Sequence, residues 1–279
     1  MNIKGKCYLV ATPIGNLEDI SYRAVRILKE VDIIAAEDTR NTIKLLNYYN
    51  ISTKLTSYHQ HNEVEKSSYL VDLIQKGSNI AIVSDAGMPG ISDPGYEMVL
   101  TCISNEVEIQ VIPGASAMIS ALVISGVDSS KFTFQGFLSK DKKERKKTLT
   151  KLMFTEETII LYESPHRLLN TLGELKETLG NRNISIVREL TKLNEEIIRE
   201  DISRAINYFM TNSPRGEFVL VIEGNKEKDN NIDDWQNISL DEHLEYYLNK
   251  NVERKDAVKL IAKDRGIPKR IVYEKFMKK

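Results

Sequence analysis

Ile80-Ala-Ile-Val-Ser-Asp-Ala-Gly-Met-Pro-Gly-Ile-Ser-Asp-Pro-Gly95 decides the fold of this chain. Its first four residues are a short apolar run bounded by turn residues, the pattern of a buried strand. The next twelve hold three glycines, two prolines and two aspartates. Glycine lets a ligand approach the backbone and proline fixes a loop's course, so a connection this rich in both is unlike an idle surface turn. In open α/β sheets ligands bind just outside the carboxyl ends of the strands, where this loop begins.

Two further corners share the pattern. Ala11-Thr-Pro-Ile-Gly-Asn16 follows the apolar run that starts at Cys7, and Pro113-Gly-Ala-Ser-Ala117 follows Ile109-Gln-Val-Ile112 and leads into a helix. Free N–H groups at that helix start favour an anion such as a carboxylate. Neither corner reads G-x-G-x-x-G, and no Walker lysine pattern is present. A pocket built from three such corners suits a mostly neutral, amphipathic small molecule better than a triphosphate.

Outward from these corners, strands and helices alternate. Ile33-Ile-Ala-Ala36 and a run over 53–57 read as strands. Ile20, Ala24, Ile27, Leu28 and Val31 fall on one helix face with Asp19 as the expected N-cap, and a helix is expected over Glu63–Lys76. Such alternation predicts an α/β domain with a largely parallel sheet. A second set follows, with strands at 132–134, 158–162, 184–187 and 218–222 and helices near 141–153, 165–179 and 202–210. A polar linker over 224–234 precedes a helical end in which Ala262, Gly266 and Val272 are spaced as in a helix-turn-helix. The expected organisation is an α/β domain over 1–115, a second α/β domain over 116–226 and a small helical domain over 235–279.

The 279 residues carry a net charge of −1, with 28% charged and 41% hydrophobic, which excludes collagen-like, coiled-coil and disordered classes. That near-neutral total conceals an uneven distribution. Residues 250–279 carry +7, so the remaining body carries −8. A basic tail on an acidic body points to nucleic-acid contact by the tail. A second basic run, Lys140-Asp-Lys-Lys-Glu-Arg-Lys-Lys147, has the mixed charges of an exposed helix. Cys7 and Cys102 give neither a disulfide framework nor metal spacing. With no leader pattern and no apolar stretch of ~18 residues, a cytoplasmic protein with no membrane segment is expected.

Polar clusters close several strands: Glu37-Asp-Thr-Arg40, Tyr58-His-Gln-His-Asn62, Glu163-Ser-Pro-His-Arg167 and Arg188-Glu189. Asp38, Thr39 and Ser164-Pro165 suit helix starts. His59 and His61 lack third and fourth partners at ligand spacing, so no metal is expected.

Val10-Ala-Thr-Pro-Ile-Gly-Asn-Leu-Glu-Asp19, Ala36-Glu-Asp-Thr-Arg40, the 84–95 loop and Tyr162-Glu-Ser-Pro-His-Arg167 resemble the tetrapyrrole methylase superfamily, and within it the members that methylate small-subunit ribosomal RNA. The resemblance runs from about Gly5 to Gly224 and more weakly through the tail. Met88 and Gly90 depart from the family's more usual threonine and larger apolar residue. The resemblance implies two α/β domains of tetrapyrrole-methylase type, a homodimer and S-adenosyl-L-methionine as donor. The implied acceptor is the 2′-hydroxyl of a cytidine in 16S ribosomal RNA or the small ribosomal subunit. It carries donor binding onto Pro13, Ile14 and Gly15, then Asp85, Gly87, Pro89, Ile91, Ser92 and Asp93, then Ser116 and Ala117. A ribose hydroxyl is a weak acid, so a general base is expected among Glu163, Glu37, Asp38, His166 and Glu189. Glu163 leads, as the residue that ends a second-domain strand and should face the cleft. Arg40, Arg167 and Arg188, with Lys269 and Arg270 of the tail, are candidate phosphate contacts. The alternatives are a methylase of the same fold acting on a tetrapyrrole or a modified amino acid, and an effector-binding regulator with a C-terminal helix-turn-helix.

Overall fold

The computed structural model describes residues 4–226, 235, 238–250 and 252–277. Five short runs form the first sheet: Cys7–Val10 (β1), Ile33–Ala36 (β2), Lys54–Ser57 (β3), Ile80–Val83 (β4) and Ile109–Ile112 (β5). Their order is β3-β2-β4-β1-β5 and every pairing is parallel. Strands β2 and β4 are buried at every position, as expected of a sheet covered on both faces. Side chains alternate between the two faces. Ile34, Ala36, Ala81 and Val83 pack with helices Tyr22–Glu30 (α1) and Thr39–Tyr48 (α2). Ile33, Ala35, Ile80 and Ile82 pack with Glu63–Gln75 (α3) and Tyr96–Ser104 (α4). The parallel arrangement puts all five strand-to-helix corners at one edge.

The expected cap at Asp19 is not what starts α1. Asn16 caps a single 3-10 turn at Leu17–Asp19, and the Ser21 hydroxyl accepts from the Ala24 N–H to open the helix. A lone aspartate before an apolar periodicity does not distinguish these two starts.

Helix Ala117–Ser125 (α5) passes to the second sheet. There Phe132–Phe137 (β6), Thr158–Glu163 (β7), Asn183–Arg188 (β8), Glu196–Asp201 (β9) and Phe218–Ile222 (β10) run in the order β6-β7-β10-β8-β9. Only β6 and β7 are parallel; the other pairings are antiparallel. Strand β9 was not anticipated, because Glu-Ile-Ile-Arg-Glu-Asp at a sheet edge carries too little apolar signal. One face of this sheet carries helices Lys142–Leu152 (α6), Leu168–Leu179 (α7) and Ile202–Thr211 (α8), packed on Ile159, Leu161, Ile186 and Leu220. The other face packs Ile160, Val187, Val219 and Val221 on α5 and on Ile14 from the first sheet's corner.

The end of the chain forms Leu240–Asn249 (α9), Arg254–Asp264 (α10) and Lys269–Met277 (α11) around Tyr247, Ile261 and Val272. Gly266 turns α10 into α11 with φ of 62°, and Ala262 and Val272 are buried on either side, as the spacing predicts. The expected linker over 224–234 lies mostly outside the described residues. No described helix is long and apolar enough to cross a membrane.

Candidate active site

Three glycine-bearing corners meet where the first sheet's carboxyl edge faces the second sheet. Thr12 and Gly87 exchange two backbone hydrogen bonds, 2.9 and 3.1 Å, and the Thr12 hydroxyl donates to the Ser84 carbonyl at 3.2 Å. Gly87 has φ of +82°; a Cβ there would stand 3.4 Å from Ile14 and 3.6 Å from the Ala115 carbonyl. All three corners are therefore within touching distance of this one residue. The 84–95 loop closes on itself through Gly90 N–H to Pro94 carbonyl, 3.1 Å. Gly95, at φ of +144°, lies so near that a Cβ would sit 2.8 Å from the Gly90 nitrogen. Only glycine fits such a position without strain.

The second sheet supplies the facing wall. Gly136 breaks the register of β6 against β7, and this bulge brings Phe134 and Phe137 onto the same ring, Tyr162, at centroid distances of 5.0 and 5.6 Å. The Ser92 hydroxyl lies 2.9 Å from where a Gly136 Cβ would stand, so the loop tip rests on the bulge. Gly15 and Asn16 meet the opposite side: the Asn16 N–H donates to the Thr191 hydroxyl at 3.1 Å. Residues Glu189 and Thr191 adopt φ of 49° and 65° to present that turn. The aromatic trio was missed in the sequence; glycine inside the strand pattern Phe-Gln-Gly-Phe was the available signal.

Three carboxylates gather at the mouth. Asp85 accepts from the Asp38 N–H at 3.1 Å and from the Asn41 amide at 3.0 Å. Burial, with the field of Asp85, raises the Glu37 pKa. Burial, followed by the charges of Glu37 and Asp85, pushes Asp93 up to about 7. None of the three has an ion-pair partner among the described residues. Tyr162, raised mainly by burial, feels the charge of Asp93 across the cleft.

The other expected bases are placed differently. Glu163 follows Tyr162 in β7 and so points to the opposite face, among α6, α7 and α8. It is 2% exposed, accepts from the Thr171 hydroxyl at 2.6 Å and the Ser164 N–H at 2.8 Å, and faces Arg167 at 3.5 Å. It is a structural group, and the expectation that it faces the cleft is corrected. Asp38 caps α2 and is held at about 2 by Arg40, whose guanidinium it binds at 2.7 Å. Glu189 accepts from Lys192 at 2.9 Å and from the Glu217 N–H at 3.0 Å, with Gly216 leaving it room. His166 is exposed in the turn before α7. Among the arginines, Arg167 donates to the Leu138 carbonyl, while Arg188 donates to the Arg215 carbonyl and pairs with Glu196. Both are committed to the second domain's own structure. Lys269 and Arg270 are exposed at the start of α11.

A family model described as Tetrapyrrole (Corrin/Porphyrin) Methylases matches residues 6–206. The chain belongs to the tetrapyrrole methylase family. Among relatives of this methylase, ribosomal RNA small subunit methyltransferase I of Halalkalibacterium halodurans is 49% identical, over 97% of this chain and 94% of that one. The protein of the same name from Bacillus subtilis is 48% identical, over 98% and 94%. A solved uroporphyrin-III C-methyltransferase from Thermus thermophilus, complexed with S-adenyl homocysteine, shares the fold at 17% identity. Its TM-score is 0.56, over 78% of this chain and 97% of that one. The methylase's donor is S-adenosylmethionine. The residues present fit it: a backbone-lined crevice for an adenosyl group, and three unpaired carboxylates for the positive charges of a sulfonium and an ammonium. The side chain of Ser116, at the start of α5, makes no capping bond, which leaves that helix start open to a carboxylate.

Because Glu163 is committed to α7, the Glu163→Gln enzyme keeps methyl transfer within a fewfold of the wild-type rate. Its thermal unfolding shows a loss of about 1–2 kcal/mol from the altered bonds to Thr171 and Ser164. A rate loss of ~10²-fold or more at unchanged stability would return Glu163 to the role of base.

Proposed function

We propose that this methylase transfers a methyl group from S-adenosylmethionine to the 2′-hydroxyl of a cytidine in 16S ribosomal RNA, on the small ribosomal subunit in the cytoplasm. The observation that carries the reading is the near-full-length match to proteins named ribosomal RNA small subunit methyltransferase I. The corners at Pro13–Gly15, Asp85–Asp93 and Ser116–Ala117 hold the donor between the domains at 1–115 and 116–226, and the tail at 235–279 works on the RNA side. The donor supplies an electrophilic methyl group on a positively charged sulfur. Glu37 and Asp85 hold that charge beside the sheet edge.

Asp93 is the proton acceptor. Its carboxylate stands between the first sheet's acidic pair and Tyr162, on a loop tip fixed by Gly90 and Gly95. A base whose pKa lies near the working pH combines availability with driving force. The hydroxyl proton passes to an Asp93 carboxylate oxygen as the ribose oxygen takes the methyl group, and the methyl–sulfur bond breaks with its electron pair left on a neutral thioether, S-adenosylhomocysteine. Positioning of the two reagents supplies most of the remaining acceleration. Phe137, 56% exposed beside Tyr162, offers a ring for the nucleobase.

A homodimer fits one exposed apolar face. Tyr96, Leu100 and Ile103 line α4 one turn apart, and Val111 on edge strand β5 points to the same side of the sheet as Ile109, which packs with α4's cluster.

Three measurements test these statements. Small subunits from cells lacking this chain, incubated with labelled donor, gain a methyl group that mass spectrometry maps to a cytidine ribose; no transfer to RNA refutes the reading. In the pH profile of transfer, the rate falls as Asp93 is protonated, along a limb at or below about pH 7, since the donor's positive charge favours the carboxylate. Asp93→Asn loses ~10²–10⁴-fold and flattens that limb; a variant with the same limb excludes Asp93. Light scattering gives twice the chain mass and Ile103→Glu gives one, whereas a monomeric wild type removes the dimer.

A further inference from the structure

The two basic stretches that stand apart in the sequence meet in space. Helix α6 carries the 140–147 run, and its end packs into the tail: Met153 and Phe154 join the cluster around Tyr247, with Phe154 edge-on to Tyr247 at 5.4 Å. Lys146 pairs with Glu253 at the start of α10 across 2.6 Å. This docking leaves an open groove of about 960 Å³ between α6, α10 and the starting ends of β6 and β7.

Six lysines line it: Lys131, Lys147, Lys151, Lys226, Lys259 and Lys263. Lys226 is paired with Glu223 and Lys259 with Asp256, and Lys147 reaches Glu144 only at 3.6 Å. Lys131, Lys151 and Lys263 have no ion-pair partner among the described residues. Five carboxylates, Asp128, Glu156, Glu157, Glu223 and Asp256, share the lining, so its formal charge is +1, and Glu223 and Asp256 pair with lysines. Asp128 accepts from Ser130, and Glu157 accepts from the Thr133 hydroxyl at 2.9 Å; Glu156 is the carboxylate without a partner among the described residues. The groove therefore presents ammonium groups from two separate parts of the chain to a common space. It lies at the opposite end of β6 from Phe137, about 17 Å away at ~3.3 Å per residue.

We propose that this groove binds the sugar–phosphate backbone of the RNA substrate, several nucleotides from the reacting ribose. The inference rests on the reading of this chain as an RNA methyltransferase and adds where the rest of the RNA goes. An acidic body cannot hold a polyanion near its own site without such an anchor. Phosphate contacts of this kind set affinity and register without reading sequence. The tail contributes by completing the groove with Lys259 and Lys263, rather than by inserting a recognition helix.

The full-length protein carrying Lys131→Glu, Lys151→Glu and Lys263→Glu tests this, beside a second triple variant with glutamine at the same positions. The probes are in vitro transcribed 16S ribosomal RNA and, separately, S-adenosylhomocysteine. The glutamate triple is expected to bind RNA at least tenfold more weakly. The log–log salt dependence of both variants should be shallower by about 2, at ~0.7 per lost phosphate contact on single strands. Affinity for S-adenosylhomocysteine should stay within twofold. An unchanged RNA affinity and salt slope in both variants overturns the groove. Methyl transfer to small subunits separates the two ideas. If the wild type transfers and the variants bind RNA normally, the groove fails and the reading of the site stands. If the wild type transfers nothing while the variants lose RNA affinity, the reading fails and the groove stands.

Discussion

Two backbone hydrogen bonds between Thr12 and Gly87 carry the architecture of the site. They tie the corner after β1 to the loop after β4, two strands adjacent in the sheet but far apart in the chain. A parallel sheet places its corners at one edge but does not make them touch. Contact here requires a φ of +82° at residue 87, which glycine adopts without strain, while a Cβ there would meet Ile14 and the Ala115 carbonyl only at ordinary contact distance. The same restriction recurs at Gly95, against the Gly90 backbone. The cradle is therefore made by what its residues lack, and its shape depends little on the side chains at Met88 or Ile91. This accounts for the departure at Met88 without loss of the loop's geometry.

The electrostatics follow from the same placement. Glu37 and Asp85 come from neighbouring strand ends, and the loop turns back to set Asp93 beside them. Burial raises the pKa of Glu37 and of Asp93, and the neighbouring carboxylate charges add to it. A carboxyl raised in the folded state from its ordinary value of 3.8 to about 7 weakens the fold as pH rises through that interval, since the folded protein holds the proton the unfolded chain releases. A bound sulfonium reverses the sign of that interaction. On the proposed reading, the acidic cluster gives up stability of the free protein for affinity toward the donor, and Asp93 is left able to accept a proton near neutrality. Asp38, one residue from Glu37, shows the contrast: with Arg40 beside it, it stays ionised and serves as a cap.

How much of this was legible depended on the kind of signal. The first sheet was readable because β1, β2 and β4 are short, largely buried apolar runs and the corners after β1, β4 and β5 carry glycine or proline. In the second sheet β6, β7, β8 and β10 were readable and β9 was not. Its edge strand β9 alternates too weakly, and the mixed pairing depends on long-range hydrogen bonds that no local pattern encodes. At the site, the corners were legible from composition, but the direction of individual side chains was not. Tyr162 and Glu163 are adjacent in β7, and pleating sends the first toward the cleft and the second into the α7 layer. A reading that placed Glu163 at the strand's end had its position right and its face wrong. The burial of Ile160 with α5 and of Ile159 and Leu161 with α7 would have fixed the alternation, but only given which face each helix covers.

The charge distribution carries the same lesson at larger scale. A body of −8 and a tail of +7 describe a dipolar chain, and as linear quantities they leave open whether the tail acts alone. Docking of α6 against the tail changes what the basic stretches can do. Lys131 and Lys151 belong to the body and Lys263 to the tail, yet all line one groove. Three ammonium groups facing one space repel each other in the free protein, and a polyanion removes that repulsion as it binds. The carboxylates at the mouth of the other site do the converse for a cationic donor. On the reading proposed above, the groove lysines and the carboxylates at the glycine corners stand apart, so the donor and the RNA backbone are held at separate places.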